Sequence, residues 1–205
     1  MVDRGSKSED EWFRLNEQEL LETARQARVK REAERAAKEK AEETKRLKDL
    51  HFMAAAQKFT GQFREAYSMA VKQNVYTAIR FETGPRGPVY SLYRDGNVNG
   101  VLSADINAGR DVRVAGPFEL SGGAADVRVG INANVPAIPP DSGMLDPADP
   151  IKFGSSNMVS FSPLGSATPG TFYLAGSGAQ AAVRVTPGTA RVRILFCRGK
   201  QWVVR

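Results

Sequence analysis

Asp95, Asn97 and Asn99 stand at alternate positions of the segment DGNVNGVLSAD (95–105), with Gly100 sixth. Short oxygen-bearing side chains at this spacing, followed by a glycine that makes the bend, form the first half of a calcium loop. The second half departs from that pattern. Position twelve, which supplies a bidentate acid, is Ile106, and Asp105 falls one residue early. The preceding residues VYSLYR (89–94) alternate as a strand, not as the helix that leads into such a loop. Two readings stand: a loop held by Asx turns, with Asp95 capping backbone amides, and a weak calcium site of Asp95, Asn97, Asn99 and Asp105. Neither implies catalysis.

A second chemistry lies near the C-terminus. Arg191 and Arg193 are two apart on a strand pattern, face the same way, and can pair with successive phosphates, aided by Arg184, Arg198 and Lys200. The same pattern also describes a solvated strand face. Enzymatic readings have less to stand on. Ser160, Ser162 and Ser166 lack a histidine base, since the single histidine, His51, falls in a helical segment before the β-region. The glycines of LAGSGAQ (174–180) do not end in the GK[ST] of a phosphate loop. Asp141, Asp146 and Asp149 lie on a proline-rich stretch and read as turn and solubility residues. With one cysteine, Cys197, and one histidine, the chain can form no internal disulfide and no zinc ribbon. We therefore expect a non-enzymatic protein without a cofactor, a weakly bound calcium ion excepted.

The net charge of +6 is unevenly placed: residues 1–50 carry 13 basic and 13 acidic side chains, and the remaining 155 carry 16 and 10. A positive C-terminal part favours an anionic partner, although a charge of this size also serves solubility. No apolar run approaches the roughly 20 residues that span a bilayer, and MVDRGSKSEDEW is no hydrophobic secretion segment. These features predict a soluble chain without a transmembrane segment, cytoplasmic unless exported otherwise.

The elements that position these residues change character along the chain. Residues 9–50 form a charged helical segment, with Glu34–Lys38 and Glu42–Arg46 in the favourable acid-before-base order. Trp12, Phe13, Leu15, Leu20 and Leu21 give its front end something to bury, while its apolar positions between 24 and 46 are almost all alanine and support no coiled-coil seam. From Phe52, the residues Ala56, Phe59, Phe63, Ala66, Tyr67 and Ala70 recur at spacings of three and four, gathering on one helix face that predicts helix–sheet packing. The period becomes two at Val75, which places the helix end near 72–74. A hairpin follows through TGPRGP (83–88). DVRVA (111–115) and ADVRVGI (125–131) are short strands, and NVPAIPPDSGMLDPADP (134–150) is an irregular loop suited to cover a sheet edge or touch a neighbouring subunit. MVSFSP, TFYLAG, AAVRVTPG, ARVRILFC and QWVVR complete a dense β pattern, with Val192, Ile194 and Phe196 facing inward. The fold class is α+β: a long N-terminal helical region followed by an antiparallel β-sheet or β-sandwich domain.

Two resemblances extend this reading. SEDEWFRLNEQELLETAR, the charged helix and KDLHFM resemble the lead-in of small bacterial zinc-ribbon proteins, but Met53 is followed by AAAQKF with no cysteine pair, so no zinc site is carried over. From about 54 to 205, AAAQKFTGQFREAYSMAVKQNVYTAIRF, YSLYRDGNVNGVLSADI, IKFGSSNMVSFSPLGSATPGTFYLA and AAVRVTPGTARVRI resemble the type II secretion minor pseudopilins called protein H and the related minor pilins of type IV pili. That resemblance implies a pseudopilin-like domain with helix 54–73 and β-region 75–205, partnered by other pseudopilin or minor pilin subunits near a filament tip, at the inner membrane and in the periplasm. It also implies a leader and a hydrophobic anchor, in whose place this sequence has the charged helical appendage 1–53. A subset of the minor pilins binds DNA during uptake through a Gly-Arg-x-Arg motif, and the corresponding text here is Ala190-Arg191-Val192-Arg193. The expected function is that of a structural subunit. The alternatives are a DNA-binding minor pilin and a soluble fusion with no retained filament role.

Overall fold

The computed structural model describes residues 5–85, 87–120 and 127–204. Its first element, α1 (Gly5–Gln73), runs through two units, Met1–Leu47 and Lys48–Arg205. The described residues of the first unit, 5–47, are a single charged stretch of helix. Trp12, Phe13, Leu15, Leu20 and Leu21 remain 59–71% exposed, contrary to the expectation that they would be buried. The reason is that, among the described residues of that unit, there is no second element against which they can pack. Among the described residues no helix is long and apolar enough to cross a membrane.

The second unit is an α+β domain in which every strand pair among the described residues is antiparallel. In the final turns of α1, Phe52, Ala55, Ala56, Phe59, Phe63, Ala66 and Ala70 are buried, and Tyr67 is half-buried. The alternation of large rings with alanines lets the helix lie close to the sheets while each buried ring contributes about 1.5–3 kcal/mol. Asn74 ends the helix in a left-handed conformation (φ 51°), and the Val75 amide turns back to the Ala70 carbonyl at 3.1 Å. Thr77, fully buried, then donates its hydroxyl to the Ala66 carbonyl at 2.8 Å, tying the first strand to the helix that precedes it.

Among the described residues ten strands follow: β1 (Thr77–Gly84), β2 (Gly87–Arg94), β3 (Val112–Glu119), β4 (Arg128–Val129), β5 (Ile151–Lys152), β6 (Met158–Phe161), β7 (Gly170–Ala175), β8 (Gln180–Val185), β9 (Val192–Arg198) and β10 (Gln201–Val204). A five-residue helix, α2 (Ser103–Asn107), precedes β3 where the sequence reads as loop. The strands form one sheet in the order β3-β2-β1-β6 and another in the order β10-β9-β8-β7-β4, with β5 also paired to β7. Of the expected strand 125–131, residues 125 and 126 lie outside the described residues and only Arg128–Val129 pairs.

Alternate side chains from both sheets meet α1 in a single apolar core. Phe63 sits among Phe81 of β1, Phe153 and Phe161, with ring centroids 5.9–6.4 Å away, and Phe81 stacks on Phe172 of β7 at 5.2 Å. Gly176 permits part of this approach, since a Cβ there would lie 2.8 Å from the Phe52 ring. Each sheet also buries part of its opposite face. Ala78, Tyr93 and Met158 pack with Val101 and Ile106 from the segment after β2. On the second sheet, Tyr173, Ala182 and Leu195 are covered by Ile131, just after β4, and by Val135, Ile138 and Leu145 of the proline-rich loop. That loop lies over the face of the sheet and is pinned by the Trp202 indole N–H, which donates to the Pro136 carbonyl at 2.9 Å.

Candidate binding face and acidic loop

The register of β8 and β9 sets Arg184 directly opposite Arg193. Arg184 is also paired with Thr171 of β7, and Thr171 with Lys152 of β5. One row across four strands therefore holds three cations and a hydroxyl on the face turned away from α1. Like charges directly opposite each other oppose pairing, and little local acid offsets them. Asp141, itself exposed, approaches the Arg184 guanidinium at 3.9 Å, and Asp149 approaches Lys152 at 3.9 Å. Arg184 also donates to the Pro139 carbonyl at 3.3 Å. Arg193 Nε is buried and has no hydrogen-bond partner among the described residues.

Arg191 precedes Arg193 by two positions and is exposed immediately before β9 begins at Val192. Arg198 has the opposite parity and lies with Lys200 at the exposed turn between β9 and β10, where Gly199 takes φ 63°. The five basic residues thus divide into Arg184 and Arg193 on one face, Arg191 at the entry to β9, and Arg198 and Lys200 at the far end of the strand. Before Arg191, Ala190 is buried with φ 46°, a left-handed conformation in which its Cβ costs about 1–2 kcal/mol and where glycine carries no such penalty.

The acidic loop is built around three buried carboxylates, Asp95, Asp105 and Asp111. Asp95 accepts the backbone amides of Asn97 and Val98 through Oδ1 at 3.0 and 2.8 Å, and that of Gly100 through Oδ2 at 2.8 Å. Asp111 accepts those of Gly96 and Leu102 at 3.1 and 2.9 Å. Asn97 and Asn99 turn their amide nitrogens to Asp105 Oδ2 at 3.1 and 2.9 Å, while Arg110 donates to Oδ1 from Nε at 2.7 Å and from Nη2. These donors, Asn99 foremost, then Arg110 and Asn97, hold the Asp105 carboxyl below its ordinary range against the opposing effect of burial. Gly96 is required by close approach, since a Cβ there would lie 2.0 Å from the Arg110 carbonyl oxygen.

In this arrangement the oxygens of Asp95, Asp105 and Asp111 face donors. Among the described residues, no group of three or more His, Cys, Asp or Glu side chains could hold a metal ion. Asp111 and Arg110 had no signal in the sequence, because the calcium-loop spacing ends before them and Asp111 opens an alternating strand pattern. Ser162 receives the Leu164 amide at 3.1 Å as a turn residue, and His51 is exposed on α1.

A family model described as type II transport protein GspH matches residues 55–189. Neither the curated proteins nor the solved structures yield a match. The matched span ends before Arg191 and begins after the N-terminal stretch, whose likeness to zinc-ribbon proteins has no support from any comparison.

Proposed function

The chain belongs to the type II transport protein GspH family, and on that premise we propose that it is a non-enzymatic structural subunit, packed among other pseudopilin subunits of a secretion pseudopilus or among minor pilins at a type IV pilus tip. The periplasmic side of the inner membrane is the location that accompanies this reading. One observation carries it beyond family membership: the end of α1 is fixed into the core through Phe59 and Phe63, each 1% exposed, so the helix is an integral support of the domain. A subunit whose domain is rigidly joined to a helix transmits position from one to the other, as an assembly requires.

Photocrosslinking tests the proposal. A photoreactive residue is placed at exposed positions such as Val112 and Phe118 on the edge strand β3, and the chain is co-expressed with the other pseudopilins of its system. Position-dependent crosslinks to at least one of them are expected. Their absence from every exposed position of the domain would refute the assembly reading.

A second reading, DNA binding, is favoured by the opposed pair Arg184 and Arg193 together with Arg191, exposed two residues before Arg193. If these side chains contact phosphates, changing Arg191 and Arg193 to Ala lowers the logarithmic salt slope of duplex binding by about 0.9 for each lost contact. An unchanged slope would assign the attraction to net charge.

A further inference from the structure

Between the proline-rich loop and the second sheet is an open pocket of about 790 Å³, inside the range of roughly 300–1,000 Å³ typical of ligand sites. Its floor is the outer face of β7, β8 and β9. Lys152, Thr171, Arg184 and Arg193 all line it, as one continuous row set by the strand register. Its apolar walls come from Ile138 and Leu145 of the loop, Tyr173 and Leu195 of the sheet, and Trp202.

We propose that this pocket receives an acidic side chain carried on an otherwise apolar peptide segment of a partner protein. Three observations converge on that occupant. First, Arg184 and Arg193 are forced into direct opposition by the register, and a shared anion converts that repulsion into two attractions. Second, Arg193 Nε is buried without a partner among the described residues; an unmet donor on a charged group is costly, and a carboxylate satisfies a guanidinium fork with two parallel hydrogen bonds. Third, the chemistry of the walls selects the carrier. Leu145, Leu195 and Trp202 favour apolar side chains flanking the acid, whereas a duplex offers only hydrated phosphates.

The acid enters as the carboxylate and no proton transfer is involved. The neighbouring Thr171 hydroxyl supplies a further donor in the row, and Lys152 closes its far end as a point charge. Naming a fellow subunit as the carrier rests on the assembly reading; the carboxylate site does not.

The test uses the full chain and a blocked peptide, acetyl-Ala-Leu-Glu-Leu-Ala-amide, titrated while the Nε–H resonance of Arg193 and the indole N–H of Trp202 are followed by NMR. Both resonances are expected to shift, with the Glu peptide binding about tenfold or more tighter than its Gln counterpart. Three further probes separate the sources of negative charge: the Gln peptide with a free C-terminal carboxylate, inorganic phosphate, and a short DNA duplex. The Glu peptide is expected to displace each of them from Arg193. Equal affinity of the Glu and Gln peptides, or no shift at Arg193, overturns the proposal. So does tighter binding by the free terminus or the duplex. The variant Arg193→Gln is expected to lose the Glu preference, while Arg198→Gln at the far end of β9 keeps it. Should Arg193→Gln fail to fold, the wild-type titration still decides. Peptide binding without subunit crosslinks would remove the assembly reading and leave the pocket's ligand class intact; crosslinks without peptide binding would do the reverse.

Discussion

Replacing Phe63 by alanine removes a ring through which α1 meets β1 and β6 of the first sheet. The side chain is 1% exposed and packs on Phe81, Phe153 and Phe161 with centroid separations of 6.2, 5.9 and 6.4 Å. Truncating a buried Phe costs about 3–5 kcal/mol, depending on how far the surroundings collapse into the space. Collapse is resisted here. Phe81 is held between Phe153 and Phe172 in near-parallel stacks, at interplanar angles of 9° and 14°, and the strands of Phe81 and Phe172 are fixed by pairing. A loss of about 4 kcal/mol is therefore expected, which lowers Tm by roughly 8–16 °C for a domain of this size. Urea unfolding followed by near-ultraviolet circular dichroism measures it, with the midpoint falling and the slope unchanged. The neighbouring exposed residue Arg64, changed to Ala, serves as the control and is expected to stay within about 0.5 kcal/mol of the wild type. A loss below about 1 kcal/mol for Phe63→Ala would refute the placement of the helix in the core.

Because the folded-state pKa of Asp105 lies below its ordinary value of 3.8, its carboxylate contributes stability that is complete above that value and is lost as pH falls through the lowered one. Thermal melts in acid should therefore show the wild type losing stability more steeply below pH 3.8 than Asp105→Asn does; equal slopes would show that the Asn99, Arg110 and Asn97 contacts do not persist in solution. Deleting residues 1–47 should leave a cooperative thermal transition, because the buried helix residues begin at Phe52 within the second unit; a lost transition in calorimetry would make the charged helix an essential packing element.

Local pattern carried much of the architecture. The switch of apolar period at residue 74 marks the end of α1, because a helix face repeats every three to four residues and a strand face every two. The pairs β1–β2 and β8–β9 follow from alternation on either side of turn residues. Asp95 as a cap of the loop amides was also readable, since Asp followed by Gly and Asn favours an Asx turn. The exposure of Trp12 to Leu21 was not, because an apolar side chain signals what it would bury but not whether a partner surface exists.

By itself, the sequence determined an α+β chain with a helix running into antiparallel strands, the inward set Val192, Ile194 and Phe196, and a membership that the family match over 55–189 confirms. Only the tertiary structure decided which strands share a sheet. It joins β6 to β1 across a separation in sequence that no local period reports, and it divides the β-region in two. It also decided the fate of the other face of β9. Alternation places Leu195 with Arg191 and Arg193 but cannot tell whether that face meets water, and the proline-rich loop covers Leu195 while leaving Arg191 exposed. The opposition of Arg184 and Arg193 has the same origin. Each lies on its own strand with an ordinary period, and only the register between the strands, fixed by the packing of both inner faces on α1, brings the two charges together.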